Sequence, residues 1–92
     1  MMNTPQRLEA IRGRIEDAVH PEQLIVEDEG HLHVGHEGAK DGRGHFRVFV
    51  VAECFNGLSM LKRHRMIYKA MGDLMNSDVH ALAIDAYSSD EV

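Results

Sequence analysis

Nine consecutive residues, His45 to Glu53 (HFRVFVVAE), leave few architectures open to the chain. In an extended backbone Phe46, Val48, Val50 and Ala52 point one way and Arg47, Phe49, Val51 and Glu53 the other, so both faces carry apolar side chains. Such a strand belongs in the middle of a sheet, with cover on either side. After a turn through Cys54-Phe55-Asn56-Gly57, the apolar residues Leu58, Leu61, Tyr68, Met71 and Met75 recur at roughly the 3.6-residue spacing of a helix face. Ser59 is placed to cap its N-terminus. Inside the helix lies Lys62-Arg63-His64-Arg65, an unusual cationic run in a chain of net charge −5.

The flanks supply the other layers. Thr4 is a good N-cap, Pro5 suits the first helical position, and Leu8, Ile11, Ile15 and Val19 form a stripe that predicts a helix ended by Pro21. A short strand is expected over 23–28, with Leu24 and Val26 on one face. A glycine-rich loop over 30–44 then returns the chain to the central strand, and its length marks it as mobile and functional. Asn76-Ser77-Asp78 breaks the helical pattern, and Gly72 can divide that helical run in two. From His80 to Tyr87, Leu82, Ile84 and Ala86 alternate with Ala81, Ala83 and Asp85, which predicts a third strand. Residues 88–92 read as a tail, either frayed or a single helical turn. The order is helix, strand, strand, one or two helices, strand. A helical crossover makes the last two strands parallel. The fold class is therefore α+β in two layers, a three-stranded mixed sheet with helices on one face, as one domain over 1–92.

Ninety-two residues, 43% hydrophobic and 27% charged, suffice for one modest core. No apolar run approaches the roughly 20 residues of a membrane helix, and the N-terminus lacks the apolar segment of a signal peptide, so a cytoplasmic location is expected. A lone Cys54 fits a reducing compartment and reads as a small buried hydrophobe at the end of the central strand. Charge is uneven. Between Arg43 and Ala70 six basic residues face Glu53 alone, a local balance of +5 that leaves −10 elsewhere. No nucleophile elbow, phosphate loop or H-E-x-x-H helix is present, and no catalysis is expected.

The segments HLHVGHEG, GHFRVFVVAECFNGLSMLKRHRMIYKAM and VHALAIDAYSSDE, in that order and spacing, resemble the BolA family of small proteins over Leu8 to Glu91. The resemblance implies an αββααβ fold similar to the class II KH domain. It also implies a partner, a monothiol glutaredoxin, with a two-iron two-sulfur cluster bridged between the proteins in iron-sulfur trafficking or iron and redox regulation. In such pairs the glutaredoxin cysteine and a bound glutathione supply thiolates. The family's own ligands, a histidine just before the third strand and a His or Cys in the loop between the first two, fall at His80 and His33, with His31, His36 and His45 as alternates. The protein is then a monomer alone and a heterodimer with its partner, and needs no cofactor alone.

Without the resemblance the same residues support less. His31, His33 and His36 form an H-x-H-x-x-H cluster able to bind a transition metal, or are simply polar loop residues. His80 alone reads as a histidine at a strand start. In a KH-like fold Lys62, Arg63, His64, Arg65 and Lys69 could meet nucleic-acid phosphates, and the family includes transcriptional regulators. Residues 63 to 65 point about 100° apart on a helix, however, so they cannot all face one ligand. A G-x-x-G backbone grip is missing, and Phe46, Phe49 and Phe55 are committed to the core rather than to base stacking.

Overall fold

A computed structural model describes residues 2–30 and 42–92. Its elements are α1 (Thr4–Val19), β1 (Gln23–Asp28), β2 (Gly44–Val51), a 3-10 turn (Glu53–Phe55), α2 (Met60–Met71), α3 (Leu74–Ser77), β3 (Val79–Tyr87) and a second 3-10 turn (Ser89–Glu91). β2 is the central strand of three, antiparallel to β1 and parallel to β3. The register sets Val26 beside Val48 and Val48 beside Ile84. This is the mixed-sheet α+β arrangement expected from the periodicity, in αββααβ order.

Phe46, Val48, Val50 and Ala52 are buried with Ile11, Ile15 and Val19 of α1, Ile67 and Met71 of α2 and Leu74 of α3. The opposite sheet face is only partly covered. There Arg47 bonds Glu29 at 3.0 Å and Asp85 at 2.9 Å, Phe49 packs on Tyr87, and Ile25 is 49% exposed. Phe49, which the sequence reading committed to the core, is only half-buried on this face, whereas Phe46 and Phe55 are buried in the helix-covered core.

Local signals set the boundaries. α1 starts one residue earlier than Thr4 suggests, because Asn3 and Gln6 form a reciprocal capping box with both bonds at 2.9 Å. His20, left-handed at φ 47°, closes the helix before Pro21. Ser59 caps α2 by accepting from the Lys62 amide. Gly72, at φ 53°, takes a conformation that a side chain would resist, and divides α2 from α3. Gly44 is needed for another reason: a Cβ there would sit 2.5 Å from the Phe46 ring.

Two expectations are overturned. Leu61 and Tyr68, assigned to the inward stripe, are 60% and 42% exposed, and the inward face of α2 is Arg63, Ile67 and Met71. Leu61 lies about 200° around the helix from Arg63, so a pattern that counts only apolar residues takes the wrong phase when an arginine holds a core position. Cys54 is exposed rather than buried, because the strand ends at Val51 and the thiol sits in the following turn, with its Sγ 3.8 Å from the Val19 carbonyl. Partial burial still pushes that thiol pKa up. Among the described residues no helix is long and apolar enough to cross a membrane. The tail forms its helical turn through a capping box between Ser88 and Glu91. The loop expected to be mobile falls largely outside the described residues.

Candidate functional site

The first residues of β3 are held by a buried carboxylate. Asp78 accepts from Arg7 Nε and from the Met2 amide, each at 3.0 Å, and its carbonyl accepts from the Gly44 amide at 2.9 Å. Burial alone would raise the Asp78 pKa. The hydrogen bonds from Arg7 and Met2 outweigh it and hold the carboxyl below its ordinary value. One side chain therefore ties α1 to the point where β3 begins, and its backbone carbonyl ties that point to the start of β2. Arg7 also donates to the Gly42 carbonyl at 2.6 Å, which fixes the returning end of the loop.

His80 rises from this anchored corner and is exposed. Its ring centroid lies 5.0 Å from that of His45, which is only 7% exposed. Arg43 Nη2 is 3.0 Å from His80 Nδ1, and Arg43 Nη1 donates to the Met75 carbonyl at 3.3 Å. The two imidazoles line a groove with Tyr68, Met75 and Leu82. Tyr68 donates its hydroxyl to the Leu82 carbonyl at 3.0 Å, which ties α2 to β3 along one wall.

Of the histidines read as candidate metal ligands, His80 and His45 are thus brought together at the start of two neighbouring strands. His33, His31 and His36 lie outside the described residues. No group of three His, Cys, Asp or Glu able to hold a metal occurs among the described residues. Cys54 follows the far end of β2, away from these rings. The donor set fits a contribution of imidazoles to a site shared with another molecule, since His80 is accessible and mounted on rigid backbone.

The basic helix resolves into two populations. Lys62, Arg65 and Lys69 are exposed and His64 is half-buried. Arg63 departs from its expected surface role: it is 5% exposed and spends its donors inside the protein. It donates to the Leu58 carbonyl at 3.0 Å, the Ala86 carbonyl at 3.1 Å and Glu91 Oε1 at 2.5 Å. Its guanidinium also lies 5.9 Å from the centre of the Phe55 ring. The hydrogen bond from Arg63, reinforced by the Ser88 amide and hydroxyl, pulls the Glu91 carboxyl down to about 2. With Tyr68, Arg63 covers outward carbonyls of β3, an edge strand that would otherwise offer them to another chain.

Sequence reasoning missed Arg43, Arg7, Asp78 and the partnership of Arg63 with Glu91. Only the last left a local trace, the Ser88-x-x-Glu91 spacing of a capping box that orders the tail and delivers the carboxylate.

A family model described as BolA-like protein matches residues 15–91. The chain is 43% identical over 77 residues to BolA-like protein 1 of Homo sapiens, a match covering 84% of this chain and 54% of that protein. It is 30% identical over 81 residues to the DNA-binding transcriptional regulator BolA of Haemophilus influenzae, covering 88% of this chain and 76% of the relative. The solved BolA domain of SufE1 from Arabidopsis thaliana superimposes with a TM-score of 0.83 at 37% identity, covering all of both chains. Several relatives are much longer, and the chain spans 24%, 51% and 54% of three of them.

Proposed function

The chain belongs to the BolA-like family, and from that membership we propose that it is a non-catalytic adaptor that pairs with a monothiol glutaredoxin and lends histidines to a shared two-iron two-sulfur cluster. The observation that carries the reading is His80, an exposed imidazole on a corner fixed by Asp78 and Arg7. A ligand held on rigid backbone loses little freedom when it binds, so a partner can meet it preorganised. His80 would hold one position. A second imidazole, read from the sequence as His33 with His31, His36 and His45 as alternates, would hold another. The partner's cysteine and glutathione would complete the set. When bound, such a cluster supplies electron transfer at a potential that imidazole ligation raises relative to thiolate.

This chain's own part is to present neutral imidazoles, to hold His80 on the corner where β2 and β3 begin, and to release them on transfer or sensing. A reducing, cytoplasmic setting belongs with this reading and suits the lone Cys54. The test is colour: a visible absorption spectrum of the protein alone, then with a monothiol glutaredoxin and glutathione under cluster-forming conditions. A spectrum that appears only in the mixture and differs from that of the glutaredoxin alone is expected. Identical spectra with and without this protein would contradict the proposal.

A second reading, a nucleic-acid-binding regulator, is favoured by the exposed Lys62, Arg65 and Lys69 and by the relative named as a DNA-binding transcriptional regulator. Arg63 cannot serve it, since its donors are taken within the fold.

A further inference from the structure

Arg43 places Nη2 at 3.0 Å from Nδ1 of His80, one of the residues that line the groove. A guanidinium can only donate, so Nδ1 must accept through its lone pair, and a neutral His80 ring then carries its proton on Nε2. That state is incompatible with metal ligation by either nitrogen. If Nδ1 is the ligand, its lone pair goes to the metal and the Arg43 bond is lost. If Nε2 is the ligand, the proton of the neutral ring moves to Nδ1, where two N–H groups would face each other, and Arg43 must again withdraw. Nor is the contact an incidental touch of a loose side chain. Arg43 is also held by the Met75 carbonyl at 3.3 Å, next to Gly42, whose carbonyl Arg7 grips.

We propose that Arg43 is a latch on the metal-binding histidine: it holds His80 in the tautomer that cannot ligate, and metal or cluster binding proceeds only as Arg43 lets go. This inference rests on the assignment of His80 as a ligand. Arg43 is a positioning residue, because it acts through the imidazole. It makes the apo protein a poorer ligand than its exposed histidine suggests, which protects that histidine from stray cations, and it couples ligation to release of the chain segment that leads into β2. Most metal-bound histidines donate their second N–H to a carboxylate or carbonyl, which prepares the ligating nitrogen. A donor in that place does the opposite.

The experiment has two arms on the intact chain. In the apo protein, long-range proton–nitrogen correlation of the His80 ring reads the tautomer directly. The wild type is expected to show protonated Nε2 with a hydrogen-bonded, unprotonated Nδ1. Arg43→Met, which keeps the stem and removes the donors, is expected to give an exchanging mixture with a shifted Nδ1 signal. In the second arm, titration with a cluster-loaded monothiol glutaredoxin and glutathione is expected to give a Kd about threefold to tenfold lower for Arg43→Met, the size of one net hydrogen bond removed from the competing state. Arg43→Lys keeps a donor-only cation with a single nitrogen, and its Kd is expected to fall between the two.

An unchanged His80 ring in Arg43→Met overturns the latch, as does an altered ring with an unchanged or weaker Kd, or a Lys variant outside the interval. Failure of the ligand assignment itself is read separately. A heterocomplex spectrum that survives His80→Ala removes the assignment and the latch together. A spectrum lost in His80→Ala, together with a Kd unaffected by Arg43→Met, removes the latch alone.

Discussion

At the scale of single residues, two charged side chains lie where a hydrophobic reading leaves no room for them. Arg63 and Asp78 are both buried, and each is satisfied by partners far away in sequence. Partners 71 residues apart leave no mark in any local window, which is why Asp78 with Arg7 was illegible although the strand beside it was not. Glu91 supplies a pH test. Its folded pKa, about 2, lies below the ordinary 4.5, so its contribution to stability is fully present above about 4.5 and is lost as pH falls through 2. The difference in urea midpoint between wild type and Glu91→Gln is therefore expected to be largest near neutral pH and to shrink between pH 4.5 and 2. A difference that grows on acidification would contradict the Arg63 pairing.

Elements were legible where period and punctuation agreed. β2 declared itself by apolar residues on both faces, the crossover by a change of period, and the divided helix by Gly72. α2 was found but rotated, since its inward stripe includes Arg63 and its outward face carries Leu61. Paired substitutions make the phase measurable. Arg63→Ala strands buried carbonyls and is expected to cost about 2–3 kcal/mol in chemical unfolding, whereas Leu61→Ala should stay within about 0.5 kcal/mol. The reverse ranking would restore the sequence-derived phase. At the start of β2, Gly44→Ala is expected to destabilise by about 1–3 kcal/mol as the Phe46 ring yields to the new methyl group. A neutral result in the same unfolding assay would show that the ring has room to move.

Across the whole molecule, the acidic body and the exposed cations of α2 decide how nucleic acid would be met. With Arg63 committed inward, binding through Lys62, Arg65 and Lys69 would be phosphate-based, with affinity falling steeply as salt rises and little preference for sequence. Fluorescence anisotropy with a specific and a scrambled duplex at two salt concentrations would show nearly equal Kd values. A strong preference for one duplex, lost in Lys62→Ala/Arg65→Ala, would promote the regulator reading. Of the candidate metal site, the sequence pointed to the histidines through a family resemblance, and the corner that steadies His80 emerged only in three dimensions. The loop carrying His31, His33 and His36 lies outside the described residues, so His80 bears the claim. The most direct measurement is the visible absorption and circular dichroism of the complex with a monothiol glutaredoxin and glutathione, comparing wild type with His80→Ala. Loss of the heterocomplex spectrum in the variant, with an unchanged fold by far-UV circular dichroism, is the expected result, and a heterocomplex spectrum and cluster lifetime identical to wild type would contradict it.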